Sequence, residues 1–242
     1  MKIPKISTEE WALFSDFDGT LVDIADHPSA VLVTEGLLTL LDEAQHVFSG
    51  AVALISGRSL ENLNEQLRNL NIAASGSHGA EWQDSNRIRD CIDFNDQQFL
   101  RYKQSIAEFS RKHQLLVEDK GFAIAIHTRG KEHLQSTVDD FIQSLQIDNT
   151  FKTLRGKAIR EIKPADINKG LALHRFMQLS QFKNRSALFI GDDTTDEDAF
   201  DYVNNHQGIS IKVGEGESCA HYRLASPQEV QSFLREIIEF AR

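Results

Sequence analysis

Short apolar runs alternate with longer amphipathic stretches along most of this 242-residue chain, and that alternation limits its fold more than any other feature. Trp11 to Ser15, Ala51 to Ile55, Ile72 to Ser75, Ser186 to Ile190 and Gly208 to Val213 read as buried strands. Between them lie helical patterns at Thr34 to His46, Ser59 to Leu70, Asn168 to Leu179, Thr195 to Val203 and Pro227 to Ala241. In the first of these Leu37, Leu38, Leu40, Leu41 and Ala44 recur at helical spacing, and the last carries Pro near its first turn. Strand and helix in turn predict an α/β fold with a parallel sheet and helices on both faces.

The middle of the chain departs from this grammar. Residues from about Asn86 to Glu161 are rich in Gln, Asp and Lys, and they hold two neighbouring strand-like runs, Leu115 to Glu118 and Phe122 to Thr128. Lys120-Gly121 supplies a turn between them, and helical patterns flank the pair at Gln98 to His113 and Lys131 to Leu145. The expectation is a small α+β domain at 85–162, inserted between two segments, 1–84 and 163–242, of one α/β core.

Charge and composition remove several classes of function. A net charge of −10 argues against nucleic acid or an anionic membrane surface as partner, since both require a basic footprint. The apolar run Ala51 to Ile55 is far too short to cross a bilayer, and Met1 to Glu10 has no apolar h-region of a signal peptide, so cytoplasmic residence is expected. Cys91 and Cys219 lie far apart, outside metal-ligand spacing, and are expected to be reduced thiols. No two of the nine histidines form an HExxH pair, which disfavours a zinc hydrolase.

Chemistry is concentrated just after the apolar runs. Asp16-Phe17-Asp18-Gly19-Thr20-Leu21 follows the first strand, and in open α/β sheets ligands bind beyond the carboxyl ends of strands. Asp-Gly is also a common turn dipeptide, so this segment alone does not decide between a site and a bend. Gly191-Asp192 opens a second cluster, with five acids in the seven residues from Asp192 to Asp198. Acids near a helix N-terminus are favoured by its dipole, yet carboxylates gathered at a strand end repel unless a cation sits among them. Hard oxygen ligands suit Mg²⁺. Ser56-Gly57-Arg58 after the second strand and Lys169 at a helix start complete the set; taken singly, the first is as readily a solvated helix start, and a lone lysine usually faces solvent.

Together, in this order, these four elements resemble the signature motifs of the haloacid dehalogenase (HAD) superfamily. The resemblance implies a Rossmannoid parallel-sheet core with an inserted α+β cap. It further implies that Asp16 is the nucleophile, that Asp18 is the acid and then the base, and that Ser56 and Lys169 hold phosphate oxygens. Mg²⁺ would be bound by Asp16, by the backbone carbonyl of Asp18 and by Asp192, with Asp193 and Asp196 as further candidates. Phosphoryl transfer relies on in-line positioning and neutralised oxygens, which such a set provides.

Further segments resemble the trehalose-6-phosphate phosphatase family of bacterial type. They are Ile55-Ser56-Gly57-Arg58, Gly76-Ser77-His78-Gly79-Ala80-Glu81, Val117-Glu118-Asp119-Lys120, Ala125-Ile126-His127-Thr128-Arg129, Glu161-Ile162-Lys163-Pro164 and Asn168-Lys169-Gly170, with the acidic cluster from Gly191 to Glu197. This implies a Mg²⁺-dependent phosphatase acting on a sugar phosphate, trehalose 6-phosphate, in the last step of trehalose synthesis. Glu118 and Lys120 would contact sugar hydroxyls, with Arg58, His78 and Arg129 also binding substrate. Thr128 stands where the family usually has Tyr, which puts one cap contact in doubt. Glu118 and Lys120 read without the resemblance as a surface ion pair. The competing expectations are a phosphatase for another sugar phosphate, of sucrose-phosphate or mannosyl-glycerate type, a phosphomutase, and a non-catalytic binding module. The last would be expected to have lost Asp16, Asp18, Lys169 or Asp192, and all four are present.

Overall fold

A computed structural model describes residues 3–24, 31–68, 70–91, 96–156 and 158–242. In chain order the first elements are β1 (Trp11–Ser15), α1 (Glu35–Val47), β2 (Val52–Ile55), α2 (Leu60–Gln66), β3 (Ala73–Gly76), β4 (Glu81–Gln83) and β5 (Arg89–Cys91). The middle holds α3 (Gln97–His113), β6 (Leu116–Asp119), β7 (Ile124–His127), α4 (Gln135–Ser144), β8 (Phe151–Arg155) and β9 (Ile159–Pro164). Then come α5 (Lys169–Phe176), β10 (Ser186–Gly191), α6 (Glu197–Asn205), β11 (Ile209–Val213), β12 (Tyr222–Leu224) and α7 (Pro227–Ala241). The chain divides into two compact units, Met1–Cys91 with Asn168–Arg242, and Ile92–Ile167.

The first unit is built on an eight-stranded sheet of order β12-β11-β10-β1-β2-β3-β4-β5. From β12 to β3 the neighbours are parallel, and β4 and β5 extend the edge antiparallel. The central strands are buried almost throughout, mostly by apolar residues, as strands covered on both sides must be. Helices α1 and α7 pack on each other, as do α5 and α6. Thr34, Ser59, Asn168 and Ser226 each accept a backbone N–H at the start of their helices, caps worth about 1 kcal/mol apiece. From β1 the chain moves to β2 and β3 on one side, and later to β10, β11 and β12 on the other. The order therefore reverses between β1 and β10, where Ser15 pairs with Ile190. Asp16 and Asp192 thus emerge beside each other at the switch point of the sheet, where such folds bind ligands.

The second unit is a four-stranded antiparallel sheet, β6-β7-β9-β8, with α3 and α4 on one face. Phe99 and Tyr102 of α3 and Val138 and Ile142 of α4 bury the strand residues Ile124, Ile126, Phe151 and Ile162. Phe99 stacks on Phe151 with centroids 5.5 Å apart. On the helix side Arg160 donates to both oxygens of Asp139, at 2.6 and 2.9 Å. Strand alternation puts Glu118, Ala125 and Glu161 in one row on the opposite face.

The α/β fold with a mostly parallel sheet agrees with the sequence expectation. Three differences have physical causes. The units divide at 91/92 and 167/168, later than 84/85 and 162/163, because β5 pairs with β4 in the large sheet and β9 pairs throughout with β8 in the small one. Strands β4, β5, β8, β9 and β12 carry too many polar residues for a periodicity reading. The 59–70 helix ends at Gln66, and residue 69 lies outside the described residues. Among the described residues no helix is long and apolar enough to cross a membrane.

Candidate active site

The end of β1 sets the first carboxylate. Asp16 donates its N–H to the carbonyl of Ile190 at 2.9 Å, so its backbone is the last rung between β1 and β10. The chain then turns sharply: Leu21 N–H reaches back to Phe17, and Gly19 N–H to Val22. Gly19 adopts φ +76°, and a Cβ there would meet Asp192 Oδ2 at 2.1 Å, so only glycine lets the two loops approach this closely. Thr20 uses the approach, donating from Oγ1 to Asp192 Oδ1 at 3.1 Å.

Lys169, the first residue of α5, is fully buried and places Nζ 3.0 Å from Asp16 Oδ2 and 2.7 Å from Asp196 Oδ1. The other oxygen of Asp196 accepts the N–H groups of Asp192 and Asp193, each at 2.9 Å. Asp193 in turn caps the turn Thr194–Asp196 that leads into α6. Asp193 and Asp196 therefore shape the loop with their own hydrogen bonds.

Arg58 holds Asp18 through both carboxylate oxygens and donates from Nη1 to Asn62 Oδ1 at 2.5 Å. The buried Ser56 accepts the Arg58 N–H on Oγ at 3.1 Å and, as a hydroxyl, keeps its own proton to give. His78 donates its backbone N–H to the Ser56 carbonyl while held at φ +56°, an unusual conformation for a non-glycine residue. Its ring lies against Gly57, where a Cβ would sit 2.5 Å from the imidazole. Asp16, Asp18, Arg58, Asn62, His78, Lys169, Asp192 and Asp193 line a single cleft of about 710 Å³ with Ile24, Val31 and Thr195.

The electrostatics of this cleft call for another cation. Asp16, Asp192 and Asp196 bring one oxygen each within 4.8 Å of one another. Burial pushes the Asp16 carboxyl well above the usual carboxylate range, against the pull of Lys169, and Asp196 pushes it the same way. Burial also raises Asp192, again helped by Asp196. For Lys169 desolvation acts downward, but Asp16 and Asp196 outweigh it and the net shift is upward. One ammonium shared by two carboxylates satisfies itself and leaves the acids short of positive charge. All-oxygen donors in such a deficit fit a hard divalent cation, with Asp16 and Asp192 the residues free to turn an oxygen toward it.

Of the sequence candidates, Asp16, Asp18, Arg58, His78, Lys169 and Asp192 meet in this cleft, and Ser56 is bonded to the lining residue Arg58 without lining the cleft itself. Glu118, Lys120 and Arg129 belong to the second unit. There Glu118 pairs with His127 at 3.1 Å and Lys120 with Glu161 at 2.6 Å, so the two are not partners of each other. Arg129 is exposed, and Thr128 is buried. Sequence reasoning passed over Thr20, Asn62 and Lys212. For Lys212 a signal existed, a lysine inside the apolar strand Ile209-Ser210-Ile211-Lys212-Val213.

The family model for trehalose-phosphatase matches residues 14–228. The trehalose-6-phosphate phosphatase of Escherichia coli K12 is 35% identical over 239 residues, covering 97% of this chain and 88% of that protein. A probable trehalose-phosphate phosphatase of Sinorhizobium fredii is 36% identical over 210 residues, covering 85% and 78%. Among solved structures, a trehalose-6-phosphate phosphatase related protein is 29% identical with a TM-score of 0.70, covering 95% of this chain and 97% of that one. At 15% identity and a TM-score of 0.72, a haloacid dehalogenase-like hydrolase from Bacteroides thetaiotaomicron shares the fold over 95% of this chain and 99% of its own. The strand-end carboxylates, the buried lysine and a match running from β1 into α7 agree, and the chain belongs to the trehalose-phosphatase family of phosphoric monoester hydrolases with a HAD-like core.

Proposed function

We propose that this protein hydrolyses trehalose 6-phosphate to trehalose and inorganic phosphate, with Mg²⁺ as cofactor and a phosphoaspartate at Asp16 as intermediate. The observation that carries the reading is that one cleft lines up Asp16, Asp18, Lys169 and Asp192 at the switch point of the sheet. An Asp16 oxygen attacks phosphorus, the bond from phosphorus to the sugar oxygen breaks, and Asp18 gives that oxygen its proton. Asp18, now a carboxylate, takes a proton from water as the water oxygen attacks phosphorus, and the bond to Asp16 breaks to release phosphate. Lys169 and the Ser56 hydroxyl hold phosphate oxygens, and Arg58 and His78 bind substrate from the cleft wall. Asp16, Asp192 and the Asp18 carbonyl would hold Mg²⁺, which when bound offsets the charge of the transferring group. Glu118, Lys120 and Arg129 are assigned the second sugar ring, a role that rests on the family resemblance.

The test is release of inorganic phosphate from a panel of trehalose, sucrose, glucose and mannosyl-glycerate phosphates, with Mg²⁺ and with chelator. Preferred, chelator-sensitive release from trehalose 6-phosphate is the expected result. Equal release from glucose 6-phosphate would overturn the substrate, and full activity in chelator would overturn the cofactor.

A further inference from the structure

Lys212 is 6% exposed, inside β11, and among the described residues no carboxylate lies within ion-pair distance of it. Its ammonium instead donates to two backbone carbonyls, those of Asp192 and, at 3.0 Å, Val213. The Glu197 carboxylate acts on it from beyond ion-pair distance, but the atoms it bonds are neutral. Burying a cation on neutral acceptors is costly, so such a residue needs a reason. The register supplies one: Lys212 pairs with Gly191, the last residue of β10, and its side chain reaches forward to the next residue, the proposed metal ligand. Asp192 is then held at three points. Its N–H is fixed by Asp196, its carboxylate by Thr20 and its carbonyl by Lys212. Its side-chain direction follows from its backbone, and among the described residues the Lys212 contact is the one that anchors the carbonyl side of that peptide.

We propose that Lys212 is a positioning residue of the metal centre, clamping the Asp192 main chain so that its carboxylate faces Asp16. This rests on the reading of Asp16 and Asp192 as metal ligands. Two effects of removing Lys212 oppose each other. Losing a nearby positive charge would tighten binding of a dication, whereas losing the clamp would loosen it. The ammonium is bonded to the carbonyl and not to the carboxylate, so placement outweighs repulsion. Groups that orient metal ligands typically contribute about 10- to 100-fold in metal affinity.

The experiment is calorimetric titration of MgCl₂ into the chelator-stripped full chain, wild type against Lys212→Met and Lys212→Gln. Melting temperatures of the metal-free forms are recorded alongside. Lys212→Met is expected to bind Mg²⁺ about tenfold or more weakly. Lys212→Gln keeps a neutral donor for the carbonyl and is expected to lose less. Should the methionine form fail to fold, weaker binding by the glutamine form alone supports the clamp. Unchanged or tighter Mg²⁺ binding, with or without a lower melting temperature, overturns it. Wild-type protein that binds no Mg²⁺ would instead defeat the metal reading itself.

Discussion

Arg58 grips both carboxylate oxygens of Asp18, from Nε and from Nη2, each at 2.6 Å. With Nη1 held by Asn62, the guanidinium is fixed as a planar fork in the cleft that Asp16 also lines. Lysine cannot reproduce that geometry. Arg58→Lys is therefore expected to lower kcat/KM for the sugar phosphate by about 10²-fold, the scale of a misplaced catalytic group. Steady-state phosphate release checks this. Near-normal activity would show the pair to be a weak ion pair with no hold on Asp18.

Asp16→Asn should abolish turnover by several powers of ten, a barrier increase of about 4 kcal/mol or more. Its effect on stability has the opposite sign. Because burial raises the carboxyl, the stability it contributes is present below the ordinary Asp value of about 4 and is lost as pH rises through the raised folded value. Asparagine never ionises, so the metal-free variant at neutral pH should melt no lower than metal-free wild type. Differential scanning calorimetry in chelator decides; a markedly lower melting point would mean that the Lys169 contact dominates.

In the second unit, the hydrogen bonds from Arg160, outweighing desolvation, hold the Asp139 carboxyl below its usual range. Its contribution is therefore present above about pH 4 and lost as pH falls through the depressed folded value. Asp139→Asn should destabilise this unit by about 2 kcal/mol near neutrality, the scale of a hydrogen bond to a charged group. The deficit should shrink below pH 4. Amide exchange of β9, followed at both pH values, measures it locally; an equal deficit at both would assign the loss to packing.

Substrate choice is tested by truncating Glu118 and Lys120. Glu118→Ala or Lys120→Ala should lower kcat/KM for trehalose 6-phosphate by about tenfold or more, since sites built to hydrogen-bond hydroxyls discriminate strongly. Hydrolysis of a small aryl phosphate, which has no second ring, should scarcely change. Equal loss on both substrates would point to folding of the second unit, and no loss on either would remove these residues from recognition.

The core of the site was legible because its residues break an apolar pattern at its ends. Asp16 and Asp192 follow directly on runs of buried residues, and a carboxylate there needs a purpose. Lys212 breaks its strand in the middle rather than at the end, a weaker signal, since one lysine in a strand reads as an outward-facing residue until the Asp192 carbonyl is seen to receive it. The strands Phe151–Arg155 and Ile159–Pro164 were hidden likewise. Arg160 and Glu161 look incompatible with burial, and only Asp139 and Lys120, distant in sequence, neutralise them. Short β4 and β5 alternate too few residues to give any period.

The insertion of residues 92–167 between β5 and α5 also governs when this protein can exist as an enzyme. Thr20 and the Asp192 it bonds are 172 residues apart in sequence, and β1 has β10 as one of its two sheet neighbours. During synthesis β1 therefore waits with one edge unpaired while the whole intervening unit is made and left to fold by its own local contacts. Pairings of such long range are slow to form, and open strand edges are where nascent chains associate wrongly. Asp16 is translated among the first residues, but Asp192, which lines the same cleft, follows only after the inserted unit has been made.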